Sequence, residues 1–124
     1  MRSQIGLPTR YAMDMSEALP PEISVDAFAA QRHLPNAPLL LDVRELWEVE
    51  IASIPGATHI PMGDIPSHLQ ELDPERSTVV LCHHGARSLN VTMWLRHQGL
   101  EHVQSLAGGI DQWSRSIDPS VPMY

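Results

Sequence analysis

Short apolar segments that are typical of buried β-strands recur along the chain. Three of them cover residues 39–41, 79–81 and 102–106, and the last alternates between apolar and polar positions. Residues 57–60 predict a further short strand that Pro61 terminates, because proline is tolerated mainly at strand ends. The strands are therefore expected to be short and well separated in sequence.

Apolar residues with helical spacing occupy the segments between these strands. Ser24 is a suitable N-cap for a short helix that ends near His33, and residues 45–50 predict another short helix. The longest helix is expected over residues 87–98, before Gly99, a favoured residue at helix C-termini. The remaining helical positions are Ile65, Leu69, Leu72 and residues 110–113. Short strands that alternate with helices predict an α/β domain with a mainly parallel sheet.

The chain has 124 residues, and no linker or repeat divides it, so we expect one domain that needs no disulfide or metal to stabilise it. Residues 1–21, which include several prolines, are expected to form an N-terminal arm or tail. We expect residues 22–118 to form the domain and residues 119–124 to be a C-terminal tail. Within the domain, Trp94 and Trp113 are expected in the core.

The charge balance and the cysteine content limit the partners and the compartment. Fifteen acidic residues stand against eight arginines and no lysine, giving a net charge of −7, and such a chain lacks the basic surface that binds nucleic acid. No apolar stretch approaches the ~20 residues of a membrane span, so no membrane partner is expected. A single cysteine cannot form an internal disulfide, which favours a reducing, cytoplasmic setting. The oligomeric state is left open.

The only cysteine of the chain, Cys82, lies where a strand is followed by a turn and a helix. The apolar run 79–81 ends at Cys82, a tight turn around Gly85 follows, and helical spacing starts at Arg87. The N–H groups of such a turn, the positive end of the helix and the guanidinium all favour a thiolate. This arrangement predicts a nucleophile; the alternative is an inert, buried cysteine. Asp42 also follows a strand, so it is expected at the same carboxyl edge of the sheet, where ligands bind.

With these residues, the chain resembles the rhodanese family of single-domain sulfurtransferases. Four blocks carry the resemblance over about residues 22–115, in the family's order and with roughly its spacing. They are Leu41-Asp42-Val43-Arg44-Glu45, Ile54-Pro55-Gly56-Ala57-Thr58-His59-Ile60-Pro61, Cys82-His83-His84-Gly85-Ala86-Arg87-Ser88, and Leu106-Ala107-Gly108-Gly109-Ile110 with Trp113. Ala52-Ser53 stand where the family usually has glycine and histidine, in a block that is mainly structural. The cysteine loop itself is intact.

The resemblance implies a single rhodanese-like domain with a central, mainly parallel five-stranded sheet flanked by helices, and no cofactor. It also implies a thiosulfate sulfurtransferase in which Cys82 carries sulfur as a persulfide. The donor would be a small molecule such as thiosulfate, and the acceptor would be cyanide, a thiol or a protein cysteine. The substrate-binding loop maps onto His83, His84, Gly85, Ala86, Arg87 and Ser88.

Several of these residues have more than one interpretation. Arg87 either binds the anionic donor or forms a structural ion pair, for example with Asp42, and the two roles are compatible. Asp42 and Arg44 are expected to support strand ends and loops rather than contact substrate. His83 and His84 either donate to the donor through their rings or contribute only their main-chain amides. No metal is expected, because adjacent residues on one tight loop rarely converge on one ion.

Three other functions fit parts of the sequence less well. Dual-specificity phosphatases share this architecture, but their loop between cysteine and arginine is one residue longer than the four residues between Cys82 and Arg87. A protein-to-protein persulfide relay would keep the chemistry but use little thiosulfate, and a loop with no lysine and one arginine exerts only a modest pull on a small dianion. A non-catalytic interaction module would keep only the fold, and inactive relatives usually lack the cysteine. Sulfur transfer is therefore the leading prediction.

Overall fold

A five-stranded sheet, parallel throughout, forms the centre of the computed structural model, which describes residues 18–124. The strands are β1 (Glu22–Ile23), β2 (Leu39–Asp42), β3 (Thr58–His59), β4 (Thr78–Leu81) and β5 (Val103–Leu106). Their spatial order is β1-β5-β4-β2-β3, which places β4 in the middle. The predicted fold class is confirmed. The sequence prediction missed β1, a two-residue strand too short to show a period of its own.

In the described residues, three α-helices lie between strands and a fourth follows β5. They are α1 (Val25–Gln31), α2 (Leu46–Ile51), α3 (Ala86–His97) and α4 (Gly109–Ser116). Ser24 caps α1 as predicted, since its hydroxyl accepts a hydrogen bond from the Ala27 N–H at 3.1 Å. Segment 62–71 forms two 3₁₀ helices, Met62–Asp64 and Pro66–Glu71, instead of an α-helix face. Pro66 at the start of the second lacks an N–H, which interrupts the α-helical hydrogen-bond ladder.

Two apolar clusters cover the two faces of the sheet. Successive strand residues point to opposite faces, so Val79 and Leu81 join one cluster while Val80 joins the other. The first cluster contains α1 and α4, whose Phe28 and Trp113 rings lie 5.6 Å apart. The second contains the buried side of α3 and the 3₁₀ segments. Cys82 belongs to this second cluster, which fixes the start of its loop.

Trp113 is buried in the core as predicted, but the prediction for Trp94 was wrong. Trp94 is 36% exposed and lines a shallow groove with Met62, Ile65 and Pro66. Its face of α3 lies beyond the second cluster, because Val91 and Leu95 already fill the side of the helix that meets the sheet.

The ends of the described chain pack on the domain. The carbonyl of Pro21 accepts a hydrogen bond from the Ser105 N–H at 2.8 Å, ahead of β1. Val121 is buried in the first cluster, and Tyr124 reaches the carboxyl edge of the sheet. Residues 119–124, expected as a tail, thus contribute to the packed structure, while the domain limits themselves stay a prediction. Most of the predicted N-terminal arm, residues 1–17, lies outside the described residues. Among residues 18–124 no helix is long and apolar enough to cross a membrane.

Candidate active site

The Cys82 sulfur lies in a loop between β4 and α3. Its residue is 1% exposed, and the sulfur accepts a hydrogen bond from the Gly85 N–H at 3.0 Å. Gly85 has a φ of +112°, a conformation that favours glycine and turns the amide towards the sulfur. The Ser88 hydroxyl lies 3.3 Å from the sulfur and also contacts the Gly85 carbonyl and the Ser105 hydroxyl. The sulfur therefore has one main-chain donor, the Gly85 N–H, which stabilises negative charge on it, while the Ser88 hydroxyl accepts from the Cys82 thiol.

The first turn of α4 donates two main-chain hydrogen bonds to the same loop. The N–H of Ile110 donates to the Cys82 carbonyl at 2.9 Å, and the N–H of Asp111 donates to the His83 carbonyl at 3.1 Å. Gly109 makes this approach possible, because a Cβ there would lie 2.4 Å from the His83 oxygen and its φ is +63°. The predicted Gly108-Gly109 turn is thus a structural part of the cysteine loop.

Arg87, the one arginine of the loop, pairs with Glu48 and not with Asp42. Its guanidinium donates to both Glu48 oxygens, at 2.7 and 2.8 Å, in a bidentate geometry. This hydrogen bonding lowers the pKa of buried Glu48 to about 2, while burial opposes the shift and a hydrogen bond from Tyr124 adds to it. The pKa of Arg87 is raised, chiefly by Glu48 and to a smaller extent by the nearby Cys82 sulfur. A positive charge is therefore fixed beside the loop.

Asp42 and Arg44 form a separate, fully buried ion pair at the end of β2. The shortest contact joins Arg44 Nη2 to Asp42 Oδ2 at 2.7 Å. Arg44 also donates to the carbonyl of Ala52 at 2.7 Å and to the hydroxyl of Tyr124 at 2.9 Å. Burial alone would lower the pKa of Arg44, but the hydrogen bonds to Asp42 and Tyr124 outweigh it and the net shift is upward. The ion pair therefore links the end of β2 to Ala52, directly after α2, and to Tyr124.

Three aromatic rings stack beside the loop. The rings of His83 and Tyr124 are 3.9 Å apart and nearly parallel, and those of His83 and His84 are 3.8 Å apart. Burial lowers the pKa of His83, and the neighbouring His84 lowers it further, so His83 is neutral at pH 7. Its Nε2 is buried and has no hydrogen-bond partner among the described residues. The stack therefore joins Tyr124 to the two histidines of the cysteine loop.

The same two histidines and Asp111 bring potential ligand atoms within 4.8 Å of one another. Stacked rings direct their nitrogen lone pairs side by side rather than towards one point. Asp111 is also held by Arg115 at 2.9 Å. This arrangement does not form a tetrahedral metal site as it stands, and the expectation of no metal stays a prediction.

The structure brings together all the residues predicted for the loop and adds others. The additions are Glu48, Ser105, Gly109 and Tyr124. Glu48 had a local signal, since it is a charged residue between apolar neighbours in a helix and forms a capping box with Glu45. Tyr124 had no local signal in the sequence, because it lies 40 residues from His84 and only the fold brings it to the loop.

The fold and this loop define a class of α/β domain in which a cysteine lies at the carboxyl end of the central parallel strand, before a helix. The model of the family described as Rhodanese-like domain matches residues 24–116. The chain belongs to the rhodanese-like domain family, as the sequence predicted.

Named relatives agree with this assignment. The Rhodanese-like/PpiC domain-containing protein 12, chloroplastic, of Arabidopsis thaliana is 36% identical over 130 residues, covering 99% of this chain and 43% of that protein. The putative sulfurtransferase YtwF of Bacillus subtilis is 39% identical over 98 residues, covering 79% of this chain and 94% of that protein. This chain thus spans less than half of the plant relative and nearly all of the bacterial one.

A solved structure shows the same fold. The human single-domain sulfurtransferase TSTD1 is 25% identical, with a TM-score of 0.74, and the match covers 79% of this chain and 98% of that one. Both the bacterial relative and the human structure carry the name sulfurtransferase, which supports an enzyme of that kind.

Proposed function

We propose that this protein is a sulfurtransferase that carries a sulfane sulfur on Cys82 as a persulfide. The observation that carries the proposal is the Cys82 sulfur itself, which accepts the Gly85 N–H at the start of α3 and has the Ser88 hydroxyl 3.3 Å away. The Gly85 N–H stabilises a thiolate, and the Ser88 hydroxyl, which accepts from the thiol, can turn its proton towards a thiolate or towards the outer sulfur of a persulfide. Arg87, oriented by Glu48, adds a fixed positive charge beside them.

The reaction consists of two displacements at sulfur. The Cys82 thiolate attacks the outer sulfur of thiosulfate, the S–S bond of the donor breaks, and sulfite leaves with the bonding electrons. The acceptor then attacks the outer sulfur of the Cys82 persulfide, and the cysteine leaves as a thiolate. With cyanide as the acceptor, the product is thiocyanate. Neither step needs a cofactor.

Charge pairing around the loop favours a second donor class, a persulfide of low charge. Arg87 is paired with Glu48 and Arg44 with Asp42, so the two arginines at this edge carry little net positive charge. His83 adds none, because burial and His84 lower its pKa. A thiosulfate dianion that approaches a thiolate here meets repulsion that the paired Arg87 compensates only in part. Transfer from cysteine persulfide, or from a protein persulfide, avoids most of it.

Intact mass measurement tests the common step. Incubation with thiosulfate or with cysteine persulfide should add one sulfur atom to the wild type, and cyanide should remove it. The Cys82→Ser variant should gain nothing, because serine is not a comparable nucleophile towards sulfane sulfur. Failure of both donors to load a free, reduced Cys82 would contradict the proposal and favour a non-catalytic interaction module.

Salt dependence separates the two donors. If repulsion limits thiosulfate, raising the ionic strength should speed its reaction by screening, while the reaction of cysteine persulfide, which carries less negative charge, should change less. Slower loading by thiosulfate at high salt would show instead that the loop attracts the dianion.

The cytoplasmic setting also stays a prediction, and the name of the plant relative places that protein in the chloroplast.

A further inference from the structure

Tyr124 joins the two ion pairs of the site through its hydroxyl. The Tyr124 oxygen accepts a hydrogen bond from Arg44 at 2.9 Å, and the hydroxyl donates to Glu48 Oε2 at 2.9 Å. Burial raises the pKa of Tyr124, Arg44 opposes the rise and Glu48 adds to it, so the phenol keeps the proton that it donates. The hydroxyl therefore lies in a continuous series of hydrogen bonds that runs from Asp42 through Arg44, Tyr124 and Glu48 to Arg87.

The Tyr124 ring makes a second, independent contact with the loop. It stacks on His83 with centroids 3.9 Å apart and 5° between the planes, and its centroid lies 6.3 Å from that of Trp47, with the two rings nearly perpendicular. Val121 anchors the segment three residues earlier, since it is buried in the core and its carbonyl accepts the Ser114 hydroxyl. The ring is thus held in place by the fold, and it limits how the His83 side chain can move.

We propose that Tyr124 is a positioning residue of the sulfur-transfer site, acting through Glu48 and Arg87 on the reactivity of Cys82. This inference rests on the proposed function. The hydroxyl orients the Glu48 carboxylate so that both of its oxygens hold Arg87. Arg87 in turn lies in the first turn of α3, five residues after Cys82, so its charge is held beside the loop that carries the sulfur. Loss of the hydroxyl removes one of the hydrogen-bond donors to the Glu48 carboxylate. The position of the Arg87 guanidinium, whose positive charge favours the thiolate, is then less well defined.

Two substitutions separate the hydroxyl from the ring. Tyr124→Phe keeps the stack on His83 and removes only the bridge between Arg44 and Glu48. Tyr124→Leu removes both. Met123→Ala is the matched control, because Met123 is adjacent in sequence, 51% exposed and outside the site.

The first readout is the alkylation of Cys82 by iodoacetamide as a function of pH, followed by intact mass. This readout needs no sulfur transfer. For Tyr124→Phe, we expect the pH of half-maximal alkylation to move upward and the rate at pH 7 to fall about threefold to tenfold. This is less than the full loss of one hydrogen bond to a charged group, because Tyr124 acts on Cys82 only through Glu48 and Arg87. Tyr124→Leu should lose more, and Met123→Ala should match the wild type.

The second readout is steady-state transfer from thiosulfate or cysteine persulfide to cyanide. Since Tyr124 positions the nucleophile rather than the donor, the loss should appear in kcat, with KM within about twofold of the wild type. In a Glu48→Gln background, adding Tyr124→Phe should change alkylation by less than about twofold, because the path from Tyr124 to Arg87 is already broken.

The outcomes are distinct. A lower melting temperature with an unchanged alkylation profile in Tyr124→Phe would show that Tyr124 only stabilises the fold, and the inference would be overturned. If Tyr124→Leu does not fold, Tyr124→Phe decides alone. If the wild type never gains sulfur, the proposed function fails, while a shifted alkylation profile would still establish that Tyr124 positions the site around Cys82.

Discussion

The pair between Glu48 and Arg87 should make a pH-dependent contribution to the stability of the fold. The pKa of Glu48 falls from an ordinary 4.5 to about 2, with the hydrogen bonds from Arg87 as the largest cause. The difference corresponds to roughly 3 kcal/mol of the free energy of unfolding. Arg87 is one-third exposed, so solvent screens part of this interaction, and we expect about 2 kcal/mol.

The direction of the pH dependence follows from the lowered pKa. Because the folded-state value lies below the unfolded one, the carboxylate contributes fully above about pH 4.5 and loses its contribution as the pH falls towards 2. Glu48→Gln keeps the size of the side chain but cannot ionise. The wild type should therefore be about 2 kcal/mol more stable than this variant at pH 7, and the difference should shrink below pH 4.5.

Urea unfolding followed by tryptophan fluorescence between pH 3 and pH 7 measures this difference. Glu50→Gln is the matched control, since Glu50 is an exposed carboxylate on the same helix, and its effect should stay within about 0.5 kcal/mol at every pH. A difference for Glu48→Gln that is the same at pH 3.5 and pH 7 would refute the reasoning. It would show that packing, and not the charge on Glu48, accounts for the stabilisation.

Three further substitutions test the loop and the core. Gly109→Ala should lower the free energy of unfolding by more than about 2 kcal/mol and abolish sulfur loading, because a Cβ at this position, where φ is +63°, would overlap the main chain of His83. Gly63→Ala is the control and should be nearly neutral, since a Cβ there would have no atom within 4 Å. Urea unfolding measures the stability of both variants, and intact mass measures their sulfur loading. Ser88→Ala should slow alkylation of Cys82 several-fold, because the hydroxyl that accepts from the thiol at 3.3 Å can turn its proton towards the thiolate once the thiol ionises, and an unchanged rate would exclude that role. Phe28→Ala should cost about 3–5 kcal/mol in urea unfolding while the folded protein keeps its alkylation rate.

The extent to which the site could be predicted depends on how local its contacts are. Cys82, Gly85 and Ser88 lie within one turn and the start of one helix, and their sequence pattern indicated the loop that the structure shows. The partner of Arg87 was not predictable in this way. Glu48 lies 39 residues earlier, and nothing in the local pattern distinguishes it from Asp42 as a counter-ion.

The sequence by itself determined the fold class, four of the five strands to within a residue or two, and the position of Cys82 between a strand and a helix. These features depend on short-range periods, turns and caps, whose energetics involve neighbours along the chain. Only the tertiary structure decided which charges pair, that Tyr124 reaches the loop, and that Gly109 approaches the main chain of His83. Such contacts join residues distant in sequence, and they exist only once the parallel strands have brought their carboxyl ends to one edge of the sheet.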